Sequence, residues 1–275
     1  MELDQVETFV AIVRRGGFTR AATTLHLSQP AVSRRLDLLE RELGRPLFDR
    51  TRGGAQLTEA GRAFLPHAET LLASMRDGVE AVRALERSDR GTVTVALVGT
   101  LASTLLTTRL QRFRDAHRQV RLDLRTALSR EVSALVRRGD AALGLRYFAD
   151  PDPDLVSLPL YREPLLTVCA PTHRLARARR LTARMLAGEP WVAFPIRQGS
   201  SGESYAQVLA ERLAAIGLGL VPKSSVEEEL RLGTLRELRI AAMRLAVPVV
   251  LVHRRRAHLS GAARALLALL TNSRR

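Results

Sequence analysis

The stretch Phe18–Glu42, FTRAATTLHLSQPAVSRRLDLLERE, constrains the fold more tightly than any other part of the chain. Phe18, Ala21, Ala22 and Leu25 recur at the i, i+3, i+4, i+7 spacing of one helical face, and the two alanines let a second helix cross closely. The start of that second helix is well marked. Ser28 is placed to cap it, and Pro30 falls in the first turn, where a missing N–H leaves nothing unsatisfied. Val32, Leu36, Leu39 and Leu43 then form a stripe to be buried, which leaves Gln29, Ser33, Arg34 and Arg41 on other faces. Periodicity alone fits any amphipathic helical hairpin with a solvated polar face. The chemistry of the face says more. A rigid helix that offers Gln, Ser and Arg from its first turns suits the major groove: Gln pairs bidentately with adenine, Arg with guanine or phosphate, and the helix N-terminus favours phosphate.

Beyond this helix, PLFDRTRGGAQLT reads as two short extended pieces around a Gly53-Gly54 turn, a wing whose Arg50 and Arg52 would meet the phosphate backbone or an adjacent minor groove. Thr58 and Gly61 open a long helix from about 58 to 88. Its residues Phe64, Ala68, Leu71, Met75, Gly78, Val82 and Leu85 follow a heptad seam over three repeats. Such a seam favours pairing with the same helix of a second subunit. Leu65, Leu72 and Val79 widen it, so packing against the preceding helices is a partial alternative.

The run AAxxLxLSQPAVSRxxxxLExELGxPLFxRxxxxxxLTxAG, from Ala21 to Gly61, resembles the N-terminal domain of LysR-type transcriptional regulators. The resemblance implies a winged helix-turn-helix that binds double-stranded DNA. Ser28, Gln29, Pro30, Ser33 and Arg34 would lie at the DNA, with Gln29, Ser33 and Arg34 toward bases and nearby phosphates. It also implies a linker helix that forms the dimer interface through Phe64, Ala68, Leu71, Met75, Val82 and Leu85.

From Thr92 the pattern changes to the strand–helix alternation of a parallel α/β sheet. VTVALV, VRLDLRT and AALGLRY read as strands, with amphipathic helices around 101–116 and 129–138 between them. LLTVCAP, PWVAF and PVVLVHR suggest further strands, and SGAARALLALL a closing helix. In LysR-type proteins this region is a periplasmic-binding-protein-like effector domain of two subdomains with two chain crossings, which would fall here near Glu163–Val168 and Ala246–Val252. The expected organisation is therefore 1–58 for the winged helix-turn-helix, 59–90 for the linker helix and hinge, and 91–275 for the effector domain. Within the last, subdomain I takes about 91–163 and 247–275 and subdomain II about 164–246.

Open α/β sheets bind ligands beyond the carboxyl ends of their strands. Thr100 or Ser103 would cap the helix after the first strand and set a hydroxyl beside free backbone N–H groups, an arrangement for a carboxylate or for a plain N-cap with no ligand. Ser129 and Arg146 end neighbouring segments, and Phe194, Arg197 and Ser200 follow the strand of subdomain II. Together these residues would form an effector cleft for a small anion such as an organic or aromatic acid. One departure from the family stands out. Between ERLAAIG and GLGLVPKSSVEEELRLGTL the chain lacks roughly one strand and one helix, a shortening near 217–222 that would open or reduce the pocket. The alternative to an effector-controlled regulator is thus a constitutive DNA-binding protein whose C-terminal domain only mediates assembly.

Charge supports this organisation with one qualification. The formal net charge is +15, but residues 1–90 carry 14 Arg against 13 acids, and the excess lies in 91–275, with 29 basic against 15 acidic groups. Within 14–52, 9 Arg face 4 acids, the footprint relevant to DNA. Lys223 is the sole lysine, a bias that reads as genome composition rather than as a binding patch. Cys169, the single cysteine, lies in an apolar strand and reads as a buried thiol that cannot form an intrachain disulfide or a thiolate metal cluster. The six histidines show no metal-ligand spacing, no GxSxG occurs, and GSSGES at 199–204 lacks a nucleophile-elbow setting. An enzyme is not expected, and neither a metal nor a cofactor is called for. The acidic N-terminus without a cleavage site, and the absence of a long apolar run, place the protein in the cytoplasm. Expected partners are DNA, a second or further copies as homodimer or homotetramer, a small effector, and RNA polymerase.

Overall fold

The computed structural model describes residues 1–51, 54–86, 91–102, 104–178, 181–192, 217–240 and 245–272. These form two compact units. One comprises Met1–Arg87 with Arg137–Asp140 and Arg256–Ser260; the other comprises Ser88–Val136, Ala141–Arg255 and Gly261–Arg275.

In the first unit, helices α1 (Leu3–Arg15), α2 (Phe18–Leu25) and α3 (Gln29–Leu43) precede a hairpin of β1 (Phe48–Thr51) and β2 (Gly54–Leu57), and α4 (Glu59–Glu86) follows. Each early helix ends at a left-handed residue: Gly16 after α1, His26 after α2 and Gly44 after α3. The core gathers Val6, Phe9, Ile12, Ala21, Ala22, Val32, Leu36, Leu39 and Leu47, with each fully buried large side chain worth roughly 1.5–3 kcal/mol. Phe9 joins the elements, its ring centroid 5.4 Å from Phe48 and 5.3 Å from Phe64. The helical pattern of the two alanines is thus realised as close packing. Leu43 departs from the expected buried stripe: it is the last residue of α3 before the Gly44 cap and stays 38% exposed. The wing strands pair antiparallel from Phe48↔Leu57 to Thr51↔Gly54, so Gly54 begins β2 rather than sitting in the turn.

The second unit is built on an eight-stranded mixed sheet in the order β4-β3-β5-β10-β6-β8-β7, with β9 added beside β6. Its strands are β3 (Gly91–Leu97), β4 (Val120–Thr126), β5 (Leu143–Tyr147), β6 (Leu155–Cys169), β7 (Trp191–Val192), β8 (Leu218–Pro222), β9 (Arg236–Glu237) and β10 (Leu245–Arg254). Helices α5 (Thr104–Ala116), α6 (Ser129–Arg137), α7 (Ala183–Leu186), α8 (Glu227–Leu232) and α9 (Gly261–Thr271) accompany them. The sheet is parallel only at its flanks, where β4, β3 and β5 run together and β7 runs with β8. Its centre is antiparallel: β10 pairs along its whole length with the first part of β6, from Leu245↔Leu165 to Arg254↔Leu155, and the end of β6 pairs with β8. The part of β6 that precedes LLTVCAP is not legible as a strand because it carries Pro159 and Pro164. Pro159 is accommodated where the register shifts between Val249 and Val250, a bulge that relieves the missing donor. The crossings expected at Glu163–Val168 and Ala246–Val252 lie inside these two strands.

Candidate nucleic-acid interface and effector cleft

The N-terminal turn of α3 is fixed by its own residues. The Ser28 hydroxyl accepts the Ala31 N–H at 3.4 Å, and Pro30 occupies the first turn, as the sequence led us to expect. Val32, Leu36 and Leu39 anchor the opposite face in the core. Gln29, Pro30 and Arg34 are exposed, Ser33 is half-buried, and the Gln29 side-chain amide donates to the Ser33 hydroxyl at 3.2 Å. Arg35 points elsewhere, to the Asp4 carboxylate at 3.0 Å, and the Arg41 guanidinium donates to the Asp37 carbonyl at 3.2 Å. Gln29, Ser33 and Arg34 are therefore the polar groups that the early turns of α3 present on the outside.

The wing is tied to this helix by a residue that sequence reasoning passed over. Glu40 accepts backbone N–H groups from Leu47 at 2.6 Å and Phe48 at 3.2 Å, so one carboxylate on α3 holds the start of β1. Thr58 closes the other side. Its hydroxyl donates to the Pro46 carbonyl at 2.7 Å and accepts the Gly61 N–H at 3.0 Å. A Cβ at Gly61 would stand 2.1 Å from the Leu47 carbonyl oxygen, which explains a glycine in the first turn of α4. Glu40 precedes the Pro46-Leu47-Phe48 triplet by six to eight residues, but from the sequence an acid at that position reads as plain helix surface. Arg52 lies outside the described residues, as does the Arg50 side chain.

Along α4, the expected seam divides. Ala68 is buried in the core of its own unit, and Phe64, Leu65 and Leu72 pack against that core, so the first two seam positions serve the protomer itself. Leu71, Met75, Val79 and Val82 remain 40%, 47%, 42% and 67% exposed. The side chain of Leu85 lies outside the described residues.

In the second unit the parallel strands β3, β4 and β5 bring Thr100, Ser129 and Tyr147 to one sheet edge, at their carboxyl ends. Of the two residues expected to cap α5, Thr100 or Ser103, Ser103 lies outside the described residues and Thr100 stands clear of the helix. Thr100 lies in a short 3-10 turn, Gly99–Leu101, and its hydroxyl is 2.8 Å from the Tyr147 hydroxyl. Ser224, which follows β8, reaches the same turn: its hydroxyl donates to the Thr100 carbonyl at 3.3 Å, and its N–H donates to the buried Glu163 carboxylate at 2.8 Å. Burial raises the Tyr147 hydroxyl pKa and pushes that of Tyr161 up to about 12, with the nearby Glu163 charge adding to both, so these phenols are neutral hydroxyls at ordinary pH. Arg146 differs most from expectation. Its guanidinium is paired with Asp150 and donates to the Ser133 hydroxyl at 2.6 Å, so its charge is balanced inside the fold. Ser103, Phe194, Arg197, Ser200 and the GSSGES segment lie outside the described residues. Tyr147 was missed because it meets Thr100 only through the pairing of β5 with β3, and Glu163 and Ser224 because they meet only through the antiparallel pairing of β6 with β8. Cys169 is buried, and desolvation pushes its thiol up to about 11. Among the described residues no helix is long and apolar enough to cross a membrane, and no cluster of three or more His, Cys, Asp or Glu could hold a metal.

Residues 3–62 match the model of the bacterial regulatory helix-turn-helix protein, lysR family, and residues 86–275 match that of the LysR substrate binding domain. The chain belongs to the LysR family. Its similarity to individual LysR-type proteins runs through both units. It is 33% identical over 204 residues to the HTH-type transcriptional regulator CfxR of Cupriavidus necator, covering 74% of this chain and 62% of that protein. It is 29% identical over 289 residues to the uncharacterized HTH-type transcriptional regulator YeiE of Escherichia coli K12, covering 96% and 95%. The fold matches full-length CbnR crystallised with its target DNA at a TM-score of 0.65 and 23% identity, over 99% of this chain and all of that one. The protein is thus a LysR-type transcriptional regulator, not an enzyme, with a DNA-binding helix-turn-helix and a substrate-binding domain for an effector. The reading in which the C-terminal region only mediates assembly is not favoured, because the substrate-binding model spans that region from residue 86 to its end.

Proposed function

We propose that this regulator reads a dyad-symmetric DNA site as a homodimer or homotetramer, with Gln29 and Arg34 at the bases, Ser33 beside Gln29 on the same helix face, Ser28 and Pro30 at the start of that helix, and Arg50 and Arg52 at the backbone. The observation that carries the proposal is the polar face of exposed Gln29 and Arg34 with half-buried Ser33 between them, on a capped helix whose other side is locked in the core. The exposed stripe Leu71, Met75, Val79 and Val82 supports pairing through α4, with Leu85 extending it. Two copies related by a two-fold axis would then set two α3 helices on successive half-sites.

The effector is a small molecule bound at the carboxyl edge of β3, β4 and β5, where Thr100, Tyr147 and Ser129 offer hydroxyls. Ser103, Phe194, Arg197 and Ser200 complete the proposed cleft. With Arg146 neutralised by Asp150, hydrogen bonding dominates recognition among the described residues. The regulator acts in the cytoplasm, with RNA polymerase as the partner of its output. Selection of the full-length protein on random duplex DNA at near-physiological salt tests the reading: enrichment of an inverted repeat supports it, and enrichment of nothing from folded protein overturns it.

A further inference from the structure

We infer that Ser33 is a positioning residue for Gln29, so that it governs which base is read rather than how tightly DNA is held. The inference rests on the reading of α3 as the base-reading helix. Gln29 is the first residue of α3 and is exposed, so its side chain would ordinarily sample many rotamers before binding and lose that freedom on contact. Ser33 lies one helical turn later, the i+4 position that shares a face with Gln29. Its hydroxyl accepts from the Gln29 amide nitrogen at 3.2 Å. Ser33 is also set back: it is half-buried, whereas Gln29, Pro30 and Arg34 around it are exposed. A recessed hydroxyl that already holds its neighbour is better placed to orient that neighbour than to reach a base.

The Ser28 cap and Pro30 fix the backbone from which both side chains leave, so the pair stands on a rigid base. One N–H of the Gln29 amide is engaged by Ser33. The second N–H and the carbonyl oxygen remain, a donor beside an acceptor, which is the pattern complementary to N7 and the N6 amino group of adenine. Guanine presents two acceptors at the same edge and can be served only when the amide turns its donors toward them. Removing the Ser33 hydroxyl frees that rotation, so the loss appears as tolerance of guanine where adenine was preferred.

The test uses full-length protein and the DNA site obtained by random selection, with fluorescence anisotropy of the wild type, Ser33→Ala, Ser33→Thr, Gln29→Ala and the Ser33→Ala/Gln29→Ala double variant. Each is measured on the site, on single base-pair substitutions of it and on unrelated duplex. The position read by Gln29 is the one whose preference Gln29→Ala abolishes. Ser33→Ala is expected to lower adenine preference there by about 3- to 10-fold, to leave affinity for unrelated duplex unchanged, and to add nothing in the Gln29→Ala background. Ser33→Thr, which keeps the hydroxyl, is expected to retain the preference. An equal loss on every duplex, or a full additional loss in the double variant, would show that Ser33 touches DNA itself and overturn the inference. A Gln29→Ala protein with every base preference intact would instead overturn the base-reading role of Gln29 and the inference with it.

Discussion

Glu40 shows how a single side chain can set the geometry of a binding element without belonging to it. Its carboxylate takes two N–H groups at the entrance to the wing, and nothing else among the described contacts replaces both. Glu40→Ala is expected to lower unfolding stability by about 2–3 kcal/mol, measured by urea denaturation of the full-length protein; an unchanged midpoint would mean that water serves those amides equally well. Tyr161 makes a different prediction. Burial holds its phenol neutral up to about pH 12, whereas the unfolded chain ionises it near its ordinary value of about 10. Between those values the unfolded state binds fewer protons than the folded one, so stability falls as pH rises through that window. Thermal melts from pH 9 to 12 should show a steeper alkaline decline for the wild type than for Tyr161→Phe, and parallel curves would contradict the assignment.

At the scale of elements, α4 divides its labour along its length. Its first turns complete the core around Phe9 through Phe64 and Ala68, and its later turns leave Leu71, Met75, Val79 and Val82 exposed. A heptad pattern read from the sequence cannot separate these uses, since both ask for the same apolar spacing. Val82→Glu places a charge in the exposed stretch, where it is expected to weaken self-association at least tenfold in sedimentation equilibrium while leaving helix content intact. Unchanged association would move the subunit contact off this helix. The wing strands, by contrast, were legible from the sequence because glycine and alternating residues mark a hairpin locally.

For the whole molecule, the two family models follow the two units: one holds the helix-turn-helix and the other most of the substrate binding domain. The hydroxyl edge at Thr100, Tyr147 and Ser129 predicts a ligand that binds only the folded effector domain. In a thermal-shift screen of small hydroxylated and carboxylated metabolites, a true effector at a hundredfold excess over its Kd should stabilise by about 2.7 kcal/mol, and Tyr147→Phe should reduce the shift. If a ligand shifts the wild type and Tyr147→Phe equally, the site lies elsewhere.

The sequence by itself determined the local features: the helix-turn-helix, the Ser28 cap, the wing and the strand–helix alternation after Thr92. Each depends on residues only a few positions apart, whose periodicity, capping and turn chemistry act before any long-range contact forms. The tertiary structure decided the rest. It made the centre of the sheet antiparallel by pairing β6 with β10 and with β8, which set Ser224 against Glu163 and the Thr100 turn, and it balanced Arg146 with Asp150. It also assigned Phe64 and Ala68 to the protomer's own core. Those outcomes turn on which surfaces meet across long sequence separations, and apolar or charged residues carry the same local signature whichever partner they finally bury against.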